Sequence, residues 1–161
     1  FSMQPRLLIA DEPTASLDVT IQAQILALLQ QLKDEFKMSI LLISHDLGVV
    51  AQNCDYILVM YLGKLVEKGP PQQIFHAPRH PYTQALIAAI PKPDPSATKA
   101  KSDLLMGDPT DASQSEGCRF FSRCPRSLPI CQTQEPALKT MGESAVACWL
   151  ENVTAGAEQA S

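Results

Sequence analysis

The sequence predicts an α/β protein built on a parallel sheet, followed by a small loop-rich cysteine extension. Leu7-Leu8-Ile9-Ala10 is an unbroken apolar run ending in two adjacent carboxylates, Asp11 and Glu12, the pattern of a strand buried on both faces. Helical periodicity follows over residues 20–37, and then a second apolar run, Ser39-Ile40-Leu41-Leu42-Ile43-Ser44. Strand, covering helix and strand make a right-handed crossover, which brings both strand tips to one edge. Far downstream, Cys118, Cys124, Cys131 and Cys148 gather in one short proline-punctuated stretch.

Length and charge bound what such a chain can do. Its 161 residues suffice for one ordinary domain, or for a piece of one with an appendage. The longest apolar run, Tyr56 to Leu62, falls well short of a membrane span, and residues 1–5 do not read as a basic, apolar leader. The expectation is therefore a cytoplasmic protein. A net charge of −4 and a pI near 5.3 give no electrostatic footprint for nucleic acid. In a reducing compartment, clustered cysteines point to metal more than to disulfides.

The first strand carries the chemistry. Pro13 stops it, and a residue before proline is pushed toward extended geometry, so Glu12 is expected to stay in line with the strand and project from its tip. That carboxyl edge is where open α/β sheets hold ligands. Neighbours on a strand face opposite ways, so Asp11 and Glu12 divide the work: one turns to a metal and its waters, the other to a water that must be oriented or deprotonated. Phosphoryl transfer around Mg²⁺ needs both roles. A bare Asp-Glu pair can also be simply solvated, and Asp18 can simply cap the next helix. The whole string from Leu7 through Asp11-Glu12-Pro13-Thr14-Ala15-Ser16-Leu17-Asp18 resembles the Walker B strand and D-loop of ABC-type ATPases. The resemblance implies the C-terminal part of a RecA-like ABC ATPase sheet. Asp11 would then hold Mg²⁺, Glu12 would act as general base or water-orienting residue, and Asp18 would sit in a D-loop that reaches across a nucleotide-sandwich dimer.

Between Thr20 and Lys37, Ile21, Ile25, Leu28, Leu29, Leu32 and Phe36 recur at helical spacing, with Gln30, Gln31, Lys33, Asp34 and Glu35 mostly opposite. After the second strand His45 arrives beside Glu12. A lone histidine at a strand end is ordinarily structural or exposed. Here Ser44-His45-Asp46-Leu47-Gly48-Val49-Val50 resembles the switch-histidine loop of the same ATPases, which implies that His45 contacts the γ-phosphate and holds the attacking water with Glu12. No G-x-x-x-x-G-K-[ST] phosphate loop is present, nor an ABC signature segment. The chain is thus expected to be the C-terminal part of a longer protein and, alone, neither to bind ATP tightly nor to hydrolyse it.

Leu47 to Asn53 reads as a short helix turning Val49 and Val50 inward, with Cys54 a small buried apolar residue. Residues 56–61 and 64–68, joined near Gly63, read as a hairpin ended by Gly69-Pro70-Pro71. In the family the phosphate-loop strand lies between the strands ending at Ser44 and Tyr61; without it, strand edges would be exposed. Pro71 to Phe75 is a short helix, and Pro81 to Ile90 a longer one with proline in its first turn and Tyr82, Leu86, Ile87 and Ile90 inward. His76 and His80 make a poor metal pair, with no cysteine at matching spacing. His80-Pro81-Tyr82 with Thr83-Gln84-Ala85-Leu86 resembles the C-terminal extension marker of the oligopeptide and dipeptide importers among ABC proteins. Pro91, Pro93 and Pro95 open a linker through residue 117, with an apolar patch at Leu104-Leu105-Met106, and residues 151–161 read as a disordered tail.

The cysteine spacing lacks the close C-x-x-C pairs of zinc fingers, while Pro125, Pro129 and Pro136 stiffen the loops. Gly117-Cys118-Arg119-Phe120-Phe121-Ser122-Arg123-Cys124 resembles a segment that follows the extension in the peptide importers. That resemblance implies a [4Fe–4S] cluster on Cys118, Cys124, Cys131 and Cys148, with zinc as the alternative and two disulfides behind it. The expected division is a partial nucleotide-binding domain over 1–69, a helical extension over 70–91, a linker over 92–117, a four-cysteine module over 118–150 and a tail over 151–161. The resemblance implies a portion of the ATP-hydrolysing subunit of a peptide-type ABC importer, working with a second ABC ATPase subunit and transmembrane permease subunits. A periplasmic or extracellular solute-binding protein would be an indirect partner. It would lie on the cytoplasmic face of the inner membrane and bind no nucleic acid. An ABC-type DNA-repair ATPase, or a non-catalytic metal-binding interaction module, are the competing readings.

Overall fold

A computed structural model describes residues 5–90 and 116–151. The proline linker with its Leu104–Met106 patch, apart from Glu116 and Gly117, and the tail beyond Glu151 lie outside the described residues. The chain divides into two compact units, Phe1–Cys54 and Asp55–Ser161.

In the first unit, strand β1 (Leu7–Asp11) pairs in parallel with β2 (Ser39–Ile43), from Leu7 opposite Ser39 to Asp11 opposite Ile43. Helix α1 (Val19–Phe36) makes the crossover between them. Asp18 caps it, accepting the Thr20 and Ile21 N–H groups at 3.0 Å each, and so satisfies two of the donors every helix start leaves free. It ends on Lys37 in the left-handed region at φ 52°, where the Lys37 and Met38 amides both turn back to the Lys33 carbonyl. Helix α2 (Leu47–Asn53) follows β2, with Val49 buried and Cys54 half-buried rather than fully inward.

Three expectations fail in this unit. The strands are shielded on one face only: Leu8, Ala10, Ile40 and Leu42 are covered, as a right-handed crossover requires. On the other face Leu7, Ile9, Leu41 and Ile43 are 53, 60, 42 and 43% exposed. A two-stranded platform is too narrow to bury α1 fully either. The stripe of α1 that turns inward runs through Gln22, Ile25, Leu26, Leu29, Leu32 and the Lys33 stem, leaving Ile21, Leu28 and Phe36 exposed. Apolarity suggested a slightly rotated stripe. Finally, Glu12 leaves the strand, with a left-handed φ of 45°. Its own N–H still completes the ladder to the Ile43 carbonyl at 2.9 Å, but the chain must then reverse, and the Ala15 amide closes onto the Glu12 carbonyl at 3.1 Å. Ladder and turn together outweigh the steric bias that proline imposes on its predecessor.

The second unit is organised on an antiparallel sheet of order β3-β4-β6-β5, so within the described α/β fold parallel pairing is confined to β1 and β2. Strands β3 (Ile57–Tyr61) and β4 (Lys64–Gly69) form the expected hairpin. Leu62 and Gly63 take φ of 45° and 78°, both positive, as a type I′ turn demands. Helices α3 (Pro71–His76) and α4 (Pro81–Ala88) each begin on proline, whose missing N–H costs nothing there. The cysteine extension holds a 3-10 turn (Phe121–Arg123), the short helix α5 (Ile130–Thr133), and a hairpin of β5 (Lys139–Met141) and β6 (Ser144–Val146). It is not loops alone: β6 pairs with the free edge of β4 through Glu67 opposite Val146 and Lys68 opposite Ala145.

One face of β3 (Ile57, Val59, Tyr61) meets Val66, Ile74, Ala85, Phe120 and Val146 in the buried core. Phe120, 1% exposed, stands edge-on to Tyr61 at 5.2 Å between centroids and lies 5.4 Å from Tyr82. Rings at such angles contribute roughly 0.5–1.5 kcal/mol per pair beyond area burial, so this phenylalanine fixes the cysteine segment to the hairpin and α4.

Candidate functional site

Strand pairing carries Glu12 and His45 to one edge of the first unit. The His45 Nδ1 lies 3.0 Å from the Glu12 Oε1. Hydrogen bonding to Glu12, and then its negative charge, raise the His45 pKa above the ordinary histidine value. Both side chains are open to solvent, so the pair stabilises the fold little and is free to meet a ligand. The loop that carries His45 is fastened on both sides. Asp46 caps α2, its Oδ1 accepting the Gly48 and Val49 amides at 2.8 and 3.2 Å, and its own N–H donates to the Ser44 Oγ at 3.0 Å.

Glu12, Ser16, Gln22, Ser44, His45 and Asp46 line a shallow polar cleft at this edge. Asp11 ends β1 beside it, exposed and on the Leu7 and Ile9 side of the strand by the two-residue alternation; it is not among the residues that line the cleft. Asp18 is spent as the α1 cap. A left-handed non-glycine residue costs on the order of 1–3 kcal/mol, and Glu12 is one of these, as are Ser16, Lys37 and Leu62. A carboxylate held at 3.0 Å by an imidazole over an open cleft can orient a water and take its proton.

The four clustered cysteines share one neighbourhood. The Cys118 N–H donates to the Cys131 carbonyl at 2.8 Å, and the Leu128 N–H to the Cys131 Sγ at 3.4 Å. Burial pushes the Cys118 thiol up to about 11, and the nearby Cys131, Cys148 and Cys124 sulfurs add to the rise. Burial likewise raises Cys124 and Cys148. All five cysteines are free thiols, so the two-disulfide alternative is not realised. Among the described residues no three His, Cys, Asp or Glu side chains gather tightly enough to hold a metal ion. His80 is no ligand: its Nδ1 accepts the Tyr82 amide at 3.0 Å as the α4 cap, and burial lowers its pKa to about 4.

Two polar residues that sequence reasoning did not single out are central here. Glu67, 1% exposed, accepts the Arg79 and His80 amides at 2.8 and 3.0 Å and so shapes the turn into α4. Gln22 opens the inward stripe of α1 and reaches Asp46. Only the stripe's phase could have revealed Gln22, and Lys64-Leu65-Val66-Glu67-Lys68 carried no sign of which charge turns inward.

The family described as the oligopeptide/dipeptide transporter, C-terminal region, matches residues 66–131. The oligopeptide transport ATP-binding protein OppF of Escherichia coli is 45% identical over 148 residues, which cover 91% of this chain and 44% of that protein. The di/tripeptide transport ATP-binding protein DppF of Pseudomonas aeruginosa is 42% identical over 146 residues, 91% of this chain and 45% of that one. The chain thus spans less than half the length of these curated relatives. A solved structure of cbiO1 from Clostridium perfringens, part of the ABC transporter complex cbiONQ, is 35% identical over 46% of this chain and 30% of that one, with a TM-score of 0.43, too low to bear on the fold. Neither a DNA-repair ATPase nor a non-catalytic metal module finds support among these relatives. Asp11-Glu12, His45 and His80-Pro81-Tyr82 thus lie in a chain that is similar over most of its length to the C-terminal part of oligopeptide and dipeptide transport ATP-binding proteins, and residues 66–131 match the C-terminal region of that transporter family.

Proposed function

We propose that this chain is the C-terminal portion of a subunit that hydrolyses ATP to drive import of peptides. The observation that carries the proposal is the 3.0 Å contact between Glu12 and His45, made across the tips of two paired parallel strands in a chain with peptide-transport relatives. Glu12 takes the proton of the attacking water. His45, engaged through Nδ1, keeps Nε2 for a γ-phosphate oxygen and holds Glu12 at its station. Asp11 is the residue that would hold Mg²⁺, whose bound charge would neutralise the phosphates. Asp18, at the head of α1, would face a second ATPase subunit. Transmembrane permease subunits would receive the motion on the cytoplasmic face of the membrane, with a solute-binding protein beyond them. Among the described residues no helix is long and apolar enough to cross a membrane.

For the cysteine module the resemblance to the peptide importers supports a [4Fe–4S] cluster, with zinc as the alternative, since four thiolates suit either. The four thiols are near enough to influence one another electrostatically. Cys118, Cys124, Cys131 and Cys148 would hold the group, and deprotonation of these buried thiols would be coupled to its binding. No step of ATP hydrolysis requires it.

The test is steady-state hydrolysis by the full-length subunit assembled with its partners. Glu12→Gln should lower kcat by at least about a hundredfold, the scale of general-base catalysis, while ATP still binds. Turnover by that variant at the parental rate would overturn the proposal.

A further inference from the structure

We propose that Gln22 is a positioning residue for the nucleotide site: its amide ties the helix behind the D-loop to the loop that carries the switch histidine. The proposal rests on the ATPase reading above. Gln22 Nε2 donates to the Asp46 Oδ2 at 3.5 Å, and both residues line the cleft that holds Glu12 and His45. That length is at the long limit for such a bond.

Phase and bonding give the contact its meaning. The inward stripe of α1 is otherwise Ile25, Leu26, Leu29, Leu32 and the Lys33 stem, and at its head the half-buried Gln22 turns its amide, in an exposed contact, to Asp46. Its Oδ1 is committed to the Gly48 and Val49 amides and its N–H to Ser44 Oγ, so it cannot swing without uncapping α2. At the other end, the Gln22 N–H donates to the Asp18 carbonyl at 2.9 Å, in the first turn that the Asp18 side chain caps. A continuous path therefore runs from the D-loop aspartate through Gln22 to Asp46 and the neighbouring His45. A shift of Asp18 when subunits meet would alter how His45 is held against Glu12.

The experiment compares Q22E, Q22R, D46N and the double variant Q22E/D46N in the full-length subunit assembled with its partners, reading kcat and KM for ATP, with thermal melts as a control. Q22E is isosteric but sets a carboxylate against Asp46, and should lower kcat on the order of tenfold at unchanged KM, as misorientation of a reacting group does. Q22R keeps a donor to Asp46 and should lose less turnover than Q22E. In the double variant, the asparagine introduced at 46 still caps α2, and its amide can donate to the new carboxylate, so turnover should recover. Parental turnover by Q22E, a loss by Q22R as large as that of Q22E, or no recovery in the double variant would each overturn the proposal. Loss of the ATPase reading itself is separable, because it would appear in Glu12→Gln regardless of how the Gln22 variants behave.

Discussion

Replacing Glu67 tests how the β4 strand and the turn into α4 are joined. Its carboxylate is 1% exposed and accepts two backbone donors, the Arg79 amide at 2.8 Å and the His80 amide at 3.0 Å. Hydrogen bonds to a charged acceptor contribute about 1.5–3 kcal/mol each. Glu67→Ala removes both and orphans two amides, an expected loss of roughly 3–6 kcal/mol. Glu67→Gln keeps one acceptor and points an NH₂ at the other amide, so it should cost about 1.5–3 kcal/mol, essentially one bond. Deleting a buried charge can be neutral when its partners are replaced along with it, but here the partners are main-chain groups and stay. The Arg79 guanidinium does not compensate, being bound to Glu151 at 2.9 Å and to the Met141 sulfur. Urea unfolding followed by Trp149 fluorescence is the assay; this is the chain's single tryptophan, and it donates to the Gln134 carbonyl in the same unit. A Glu67→Gln variant within about 0.5 kcal/mol of the parent, the range of an ordinary surface change, would refute the reasoning.

Burial holds His80 neutral, with a pKa of about 4 against 6.5 for a free histidine. Because the folded value lies below the unfolded one, stability from this group is complete above about pH 6.5 and falls toward pH 4, by up to about 3 kcal/mol. Unfolding midpoints at pH 7 and pH 4.5 should therefore diverge in the parent, and His80→Asn, which keeps a capping acceptor, should remove this group's share. At Gly117 an added Cβ would meet the main chain of Cys131 and Gln132, with the Gln132 carbonyl oxygen at 2.6 Å. Gly117→Ala should thus open the Cys118–Cys131 bond and cost roughly 1–3 kcal/mol, which a thermal melt checks.

Much of the candidate site was legible because its residues sit where local rules act over short spans. An apolar run, a crossover and a second run place two strand tips together whatever else the chain does, and Glu12 and His45 follow from counting. The starts of α1, α3 and α4 were readable from Asp18 and from proline at the first helical position. The β5–β6 hairpin was missed because three-residue strands carry too little alternation, although Gly142-Glu143 between Met141 and Ser144 is a two-residue turn signal, with Gly142 at φ 64°. Its pairing to β4 joins positions almost eighty residues apart in sequence, and no local pattern encodes that. The same distance hid the role of Phe120, whose neighbours Tyr61 and Tyr82 lie in other elements.

Glu12 is the instructive failure. A residue before proline should be extended, and a residue in the middle of Ala10-Asp11-Glu12-Pro13 has no glycine-like freedom. The observed φ of 45° therefore has to be held there by contacts that compensate its cost, namely the ladder bond to Ile43 on one side and the Ala15 turn on the other. In-line extension would carry the carboxylate straight off the end of β1, whereas the turned conformation sets it against the His45 ring at 3.0 Å. Local preference and site geometry conflict at this residue, and the geometry prevails because two backbone bonds enforce it. The strained φ thus persists because the surrounding backbone over-determines it.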